Sequence, residues 1–231
     1  MEYKSHLIEI DGHRISYNEY VGGKEIILAF HGFGQSKEAF EPLARELTDK
    51  STIFSIDLFF HGNSTWAKKD HPLELTEWEK IIEFILSKHN IQKFSVSGFS
   101  MGGRFALATL ILFSNRITRV YLIAPDGIFT SNWYKLATSF SSTRKLLRLS
   151  IIKPNLFNSF LNISQKLKLA PNKTLRFAEN NMNNRAKRKQ VYYSWVVFRK
   201  LIFPKQKIYE VLKSDNKSIY LLAGKYDTVI P

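Results

Sequence analysis

The chain has 231 residues, 44% of them apolar and 23% charged, the balance of an ordinary globular protein, so neither a disordered chain nor a coiled coil is indicated. It has no cysteine, so disulfide frameworks, thiolate nucleophiles and Cys-ligated zinc or iron–sulfur sites are ruled out. The formal net charge is +14, and its distribution is uneven: residues 1–129 carry 14 Lys and Arg against 16 Asp and Glu, residues 130–217 carry 19 against 3.

The first third reads as strands leading into an α/β alternation. His6 to Ile10 and Arg14 to Tyr20 flank Asp11-Gly12, a hairpin-turn pair. Ile26 to Phe30 is wholly apolar, as a strand covered on both faces must be. Ser36 is placed to cap a helix through Leu47, with Phe40, Leu43, Ala44 and Leu47 at helical spacing. Thr52 to Ile56 is a strand. Thr76-Glu77-Trp78-Glu79 matches a capping box, followed by the apolar stripe Trp78, Ile81, Ile82, Ile85 and Leu86. Lys93 to Ser97 is a strand, Met101 to Phe113 a helix and Arg119 to Ile123 a strand. This repetition predicts a mostly parallel sheet with helices on both faces.

After Pro125-Asp126-Gly127 the pattern changes to helical stretches rich in Lys, Arg, Asn and Ser, punctuated by Pro154, Pro171 and Pro204. Lys135, Arg144, Lys145 and Arg148 have spacings that fit one helical face. Arg185, Lys187, Arg188 and Lys189 precede Tyr192, Tyr193 and Trp195. A helix around Lys207 to Lys213 and the strand Ser218 to Ala223 resume the sheet pattern. An all-helical insertion at one point of a parallel sheet reads as a lid over the strands' carboxyl ends, where open sheets bind ligands. The most apolar stretch, Phe105 to Phe113, is far shorter than the roughly 20 residues of a membrane span. The start, Met1-Glu2-Tyr3-Lys4, shows no signal-peptide pattern, so a soluble cytoplasmic protein is the expectation.

The chemistry concentrates at Gly98-Phe99-Ser100-Met101-Gly102, between a strand and a helix. That is the nucleophile-elbow pattern in its expected context: the glycines let the backbone cross closely, and the serine projects from a strained bend. The helix beginning there aims its first N–H groups and the positive end of its dipole at any anion that forms.

At these residues the chain resembles the α/β-hydrolase superfamily, over nearly its whole length. The resemblance implies that His31-Gly32-Phe33-Gly34 is the His-Gly oxyanion loop, with the backbone N–H groups of Phe33 and Met101 as donors, and that His31 shapes the loop. It likens Asp57-Leu58-Phe59-Phe60-His61-Gly62-Asn63-Ser64 to the family's Asp-x-x-Gly-His-Gly-x-Ser loop, with Phe60 where Gly is usual. Asp57, His61 and Ser64 then hold that loop by local hydrogen bonds. Gly224-Lys225-Tyr226-Asp227-Thr228-Val229-Ile230-Pro231 is similar to the loop that carries the triad acid, making Asp227 the candidate, with Asp126 as the alternative. The family's base lies some way beyond its acid, whereas all six histidines here (His6, His13, His31, His61, His71, His89) precede Ser100. The expectation is a truncated chain that lacks the last strand and helix together with the catalytic histidine; the alternative is a natural relative without a base.

Arg104, one helical turn past Ser100, makes Ser100-Met101-Gly102-Gly103-Arg104 similar to the elbow of the menaquinone-pathway succinyl-hydroxy-cyclohexadiene-carboxylate synthases. That likeness implies an arginine that holds an anionic substrate and a triad used as a base for elimination. The same arginine also fits a packing role. The basic segment has four readings: solvated surface, attraction of an anionic substrate, contact with anionic lipid, or nucleic-acid binding, for which no motif is present.

The reading is therefore an α/β-hydrolase core at residues 1–126 and 204–231 with a basic lid at 127–203. The expected activity is a serine hydrolase that takes an ester or related acyl substrate, anionic in one reading, through an acyl-enzyme. A menaquinone-pathway-type lyase and a non-catalytic ligand binder are the alternatives. No metal and no organic cofactor is implied, and the expected partner is a small acyl molecule, without nucleic acid or a transmembrane segment.

Overall fold

A computed structural model of the chain describes residues 2–128, 132–153, 184–214 and 217–224, together with 155, 159, 162, 163 and 166. Seven strands form one sheet: β1 (Tyr3–Ile10), β2 (His13–Tyr20), β3 (Glu25–Phe30), β4 (Ser51–Ile56), β5 (Phe94–Phe99), β6 (Ile117–Ile123) and β7 (Ser218–Leu222). Their order is β1-β2-β4-β3-β5-β6-β7; β1 and β2 pair antiparallel, as do β2 and β4, and the rest pair parallel. The central strands are buried on both faces, which is why β4 reads Ser-Thr-Ile-Phe-Ser-Ile without alternation of exposure.

Helices α1 (Glu41–Glu46), α2 (Leu75–Lys88) and α3 (Gly102–Leu112) follow β3, β4 and β5. The apolar stripe of α2 is fully inside, each side chain contributing about 1.5–3 kcal/mol of burial. Trp78 fixes α2 to α3 by donating its indole N–H to Thr109 Oγ1 at 2.9 Å. The start of α2 differs from the Thr76 prediction. The helix begins at Leu75, and the capping box joins Glu74 to Glu77, whose carboxylate accepts the Glu74 N–H at 2.9 Å. A glutamate carboxylate does here what a hydroxyl does elsewhere. Ser36 precedes a 3₁₀ turn, Lys37–Phe40, that leads into α1, but its hydroxyl donates to Glu38 instead of capping the backbone.

The segment after β6 contains α4 (Asn132–Ser139), α5 (Ser141–Ile152) and α6 (Arg185–Val197), and α7 (Lys205–Ser214) precedes β7. The helix break at Phe140 puts Lys135 on α4 and Arg144, Lys145 and Arg148 on α5, so the single basic face predicted for these four does not form. The reason is local: Arg144 turns back and donates to the carbonyls of Thr138 and Ser139 at 2.9 and 2.8 Å, closing the end of α4. Pro204 stands at the start of α7, accepting the Ile208 N–H; Pro154 and Pro171 lie outside the described residues.

Candidate active site

The site is built where β5 ends. Ser100 has φ +50°, a left-handed conformation that costs an L-residue roughly 1–2 kcal/mol. The bend is possible because two glycines let three backbones meet. A Cβ on Gly102 would stand 1.9 Å from the Phe30 carbonyl oxygen, and one on Gly98 would stand 2.6 Å from the Gly102 oxygen. Hydrogen bonds hold the strain in place. Ser100 N–H donates to the Ile123 carbonyl at 2.9 Å, and the Ser100 carbonyl accepts from Gly103 at 2.8 Å and Asp126 at 2.8 Å. Ser100 is half-buried, and Met101 caps α3 directly after it.

The loop after β3 approaches the same place. Gly32 N–H donates to Gln35 Oε1 at 2.9 Å, and Gly34 turns at φ +75°. Phe33 is half-buried, its ring edge-on to His61 at 5.3 Å. His31 is fully buried. Its Nε2 accepts the Leu58 N–H at 3.0 Å, so its proton is on Nδ1, which donates to the Gly32 carbonyl at 2.7 Å. Burial pushes its pKa down to about 4, so the neutral ring ties the β3 loop to the β4 loop.

In the β4 loop, Asp57 accepts the Lys37 and Asn63 N–H groups at 2.6 and 2.9 Å, and Ser64 Oγ accepts the Ser16 N–H. His61 Nδ1 donates to the Phe59 carbonyl at 3.0 Å, and burial brings its pKa to about 4. Phe60 takes φ +68°, the left-handed state for which the resemblance implied a glycine. Its ring stacks on Tyr193 of α6 at 5.2 Å, and its carbonyl accepts from Gln190.

Arg104 is buried, and both Nε and Nη2 lie 2.7 Å from one oxygen of Asp126, with the guanidinium 4.3 Å from the centre of the Tyr134 ring. Sequence reasoning gave no sign of this three-way contact, because Tyr134 comes from α4. Asp227 lies outside the described residues. Among the described residues, no histidine hydrogen-bonds to Ser100, although all six are described.

Comparison with known proteins bears on the fold. The chain is 29% identical over 119 residues to the dihydrolipoyllysine-residue acetyltransferase component of an acetoin cleaving system from Cupriavidus necator, covering 52% of this chain and 31% of that protein. The chain spans less than half the length of the curated relatives it matches. Among solved structures it is similar to an alpha/beta hydrolase enzyme from a Medee basin deep-sea metagenome library, with TM-score 0.66 and 14% identity over 98% of this chain and 82% of that one. A hydrolase from Pseudomonas aeruginosa gives TM-score 0.63 and 17% identity, covering 98% of this chain and 82% of that one. The profile of the alpha/beta hydrolase fold matches residues 25–231, from the strand that precedes the His-Gly loop onward. With a strained serine between β5 and α3 and a parallel sheet behind it, the chain belongs to the alpha/beta hydrolase fold family.

Proposed function

We propose that this protein is a serine hydrolase acting on an ester or related acyl substrate. The observation that supports it most is Ser100 itself, a non-glycine residue held at φ +50° by three backbone hydrogen bonds, half-exposed, at the N-terminus of an 11-residue helix. Strain of this kind persists only where the surrounding structure over-determines it, and it clusters at working sites.

In the proposed reaction the Ser100 oxygen attacks the acyl carbon and its proton passes to a base. The carbonyl oxygen takes the negative charge, and the N–H groups of Phe33 and Met101 are the donors assigned to it, each typically worth about 2.7–4 kcal/mol. Collapse expels the alcohol with the returned proton and leaves the acyl-enzyme, which water releases in the second half. Asp227 is assigned the orientation of the imidazole base. Because none of the six histidines stands on Ser100, the 231-residue chain itself is proposed to turn over slowly. The helical segment from residue 127 to 203 is read as the lid.

Arg104 favours an uncharged acyl group over an anionic one, since a substrate carboxylate must displace Asp126 to reach it. That occupation also disfavours the lyase alternative, which needs a free arginine. On a form of the protein that supplies the catalytic histidine, a fluorophosphonate probe tests the reading: labelling should fall on Ser100 and vanish in Ser100→Ala. Folded material of that form that resists the probe would point instead to a non-catalytic ligand binder.

A further inference from the structure

The far edge of the sheet brings together three side chains that no part of the acyl chemistry uses. Strand pairing sets His6 on β1 opposite Tyr17 on β2, and Glu19, two residues further along β2, shares that face. His89 is the C-cap of α2, its ring packed edge-on against Phe54 at 4.7 Å. His6 Nε2 is 2.9 Å from Glu19 Oε2, and His89 Nδ1 is 3.9 Å from the same oxygen. One ligand atom from each of the three residues lies within 4.8 Å of the others.

We propose that His6, Glu19 and His89 form a transition-metal site suited to Zn²⁺. Two imidazole nitrogens and one carboxylate oxygen are a donor set that zinc takes with its fourth position left to water, whereas calcium and magnesium require oxygen ligands throughout. Ligands about 2.0–2.2 Å from a tetrahedral ion stand roughly 3.3 Å apart, between the two spacings found here. The 3.9 Å gap at His89 is too long for a hydrogen bond, and an ion placed between the groups closes it.

The second sphere agrees. His89 Nε2 lies 2.9 Å from the Tyr17 hydroxyl. The hydroxyl oxygen of Tyr17 is placed to accept Nε2–H. Nδ1 is then left with its lone pair facing Glu19, which is how outer partners orient metal-bound imidazoles. The three side chains retain 14–18% exposure, enough for an ion to enter and for water to complete its shell.

This site is independent of Ser100: β1 and β5 are four strand spacings apart, or about 19 Å. A bound ion would clip the β1–β2 hairpin to the end of α2, a structural role.

The test uses the untagged full chain, stripped with chelator and titrated with ZnCl₂ by calorimetry, with Co²⁺ as a spectroscopic probe. One ion per chain is expected, and Co²⁺ should give the strong visible bands of a four-coordinate site. Zinc at about 100 times its dissociation constant should raise Tm by roughly 5–11 °C. Glu19→Gln and His89→Ala should each weaken binding at least tenfold, and Tyr17→Phe about tenfold through loss of the outer partner. His71→Ala, on an exposed loop residue, should change nothing. If a core variant fails to fold, His6→Ala on the exposed edge strand carries the same prediction. No saturable binding, or binding of undiminished strength in the His6, Glu19 and His89 variants, overturns the proposal.

Discussion

Arg104 holds Asp126 through two nitrogens on one carboxylate oxygen, each at 2.7 Å, while the Tyr134 ring covers the guanidinium. The arginine therefore joins three parts of the chain: α3 behind Ser100, the loop after β6, and α4. That loop is the same one whose Asp126 N–H donates to the Ser100 carbonyl, so the ion pair supports the strained bend directly.

Removing Arg104 leaves Asp126 without its counter-charge and Tyr134 over a void. Arg104→Met should lose about 3 kcal/mol, or roughly 6–12 °C in Tm, in a thermal melt at pH 7. Asp126→Asn, which keeps an acceptor for Arg104, should lose less than half of that. Equal losses would mean that the charge of Asp126, rather than its role as an acceptor, carries the contact.

Gly102 and Gly34 should respond differently to alanine. At Gly102 the new methyl meets a backbone carbonyl at 1.9 Å, and neither β3 nor α3 can retreat without dismantling the sheet contact. Gly102→Ala should cost more than about 4 kcal/mol and collapse the soluble yield. Gly34 has nothing within 4 Å of the added carbon but a φ of +75°, so Gly34→Ala should cost only about 1 kcal/mol of backbone strain. Urea titrations of both variants separate clash from conformation.

The elbow was readable in sequence because its glycines and serine are constrained by adjacent backbone, and adjacency is what a sequence displays. All seven strands were likewise legible from apolar runs and turn pairs. The missed features join distant segments. His6, Glu19 and His89 come from two strands and a helix end, and no spacing among them signals convergence. The start of α2 was misplaced because Thr76 fits the usual capping template, whereas the observed cap uses the longer carboxylate of Glu74. The single basic face failed for a local reason, the helix break at Phe140 and the fold-back of Arg144 onto the end of α4.

Phe60 offers a comparison in which the smaller of two replacements should be the better one. At φ +68° any side chain is strained, and the ring offsets this by stacking on Tyr193 at 5.2 Å and tilting against Phe198 at 6.0 Å. Phe60→Ala loses the ring and keeps the strain, whereas Phe60→Gly loses the ring and relieves it. Phe60→Gly should be more stable than Phe60→Ala by about 1 kcal/mol in urea midpoints, with both below the parent. The reverse order would remove the strain argument.

Stability should fall on mild acidification before carboxylates begin to titrate. His31 and His61 have folded pKa values near 4, depressed by burial, against about 6.5 when unfolded. Below pH 6.5 the unfolded chain binds protons that the folded chain refuses, so the stability present above that pH drains away as pH drops toward 4. Each histidine contributes a slope of up to about 1.4 kcal/mol per pH unit in that window. Their rings stand 5.3 Å apart, which makes charging both harder still. Urea midpoints measured between pH 7.5 and 5.0 should decline steadily, and His61→Gln should flatten the decline. A flat profile in the parent protein would contradict the buried neutral tautomers.

Asp70 ties the helical segment to the core by three routes. Its Oδ2 accepts from the Tyr192 hydroxyl at 3.0 Å and lies 3.8 Å from Arg148, and its carbonyl accepts from Arg199 at 3.2 Å. Burial raises the Tyr192 pKa to about 12, so the hydroxyl remains a donor throughout the physiological range. Asp70→Ala should therefore destabilise α6 locally, by about 1–2 kcal/mol, with the buried Tyr192 hydroxyl left unpaired. Hydrogen exchange followed by mass spectrometry should show α6 amides exchanging about tenfold faster while β5 and α3 amides stay unchanged, because local opening need not involve the sheet. Asp70→Asn keeps an acceptor for the hydroxyl and gives up only the long, exposed contact with Arg148, which is worth little. It should exchange at close to the parent rate. If the two variants behave alike, the contact with Arg148 carries the attachment and Tyr192 is a bystander. If neither moves the α6 amides, the segment is held by contacts that Asp70 does not make, among them the stacking of Tyr193 on Phe60 and the hydrogen bond from Gln190 to the Phe60 carbonyl.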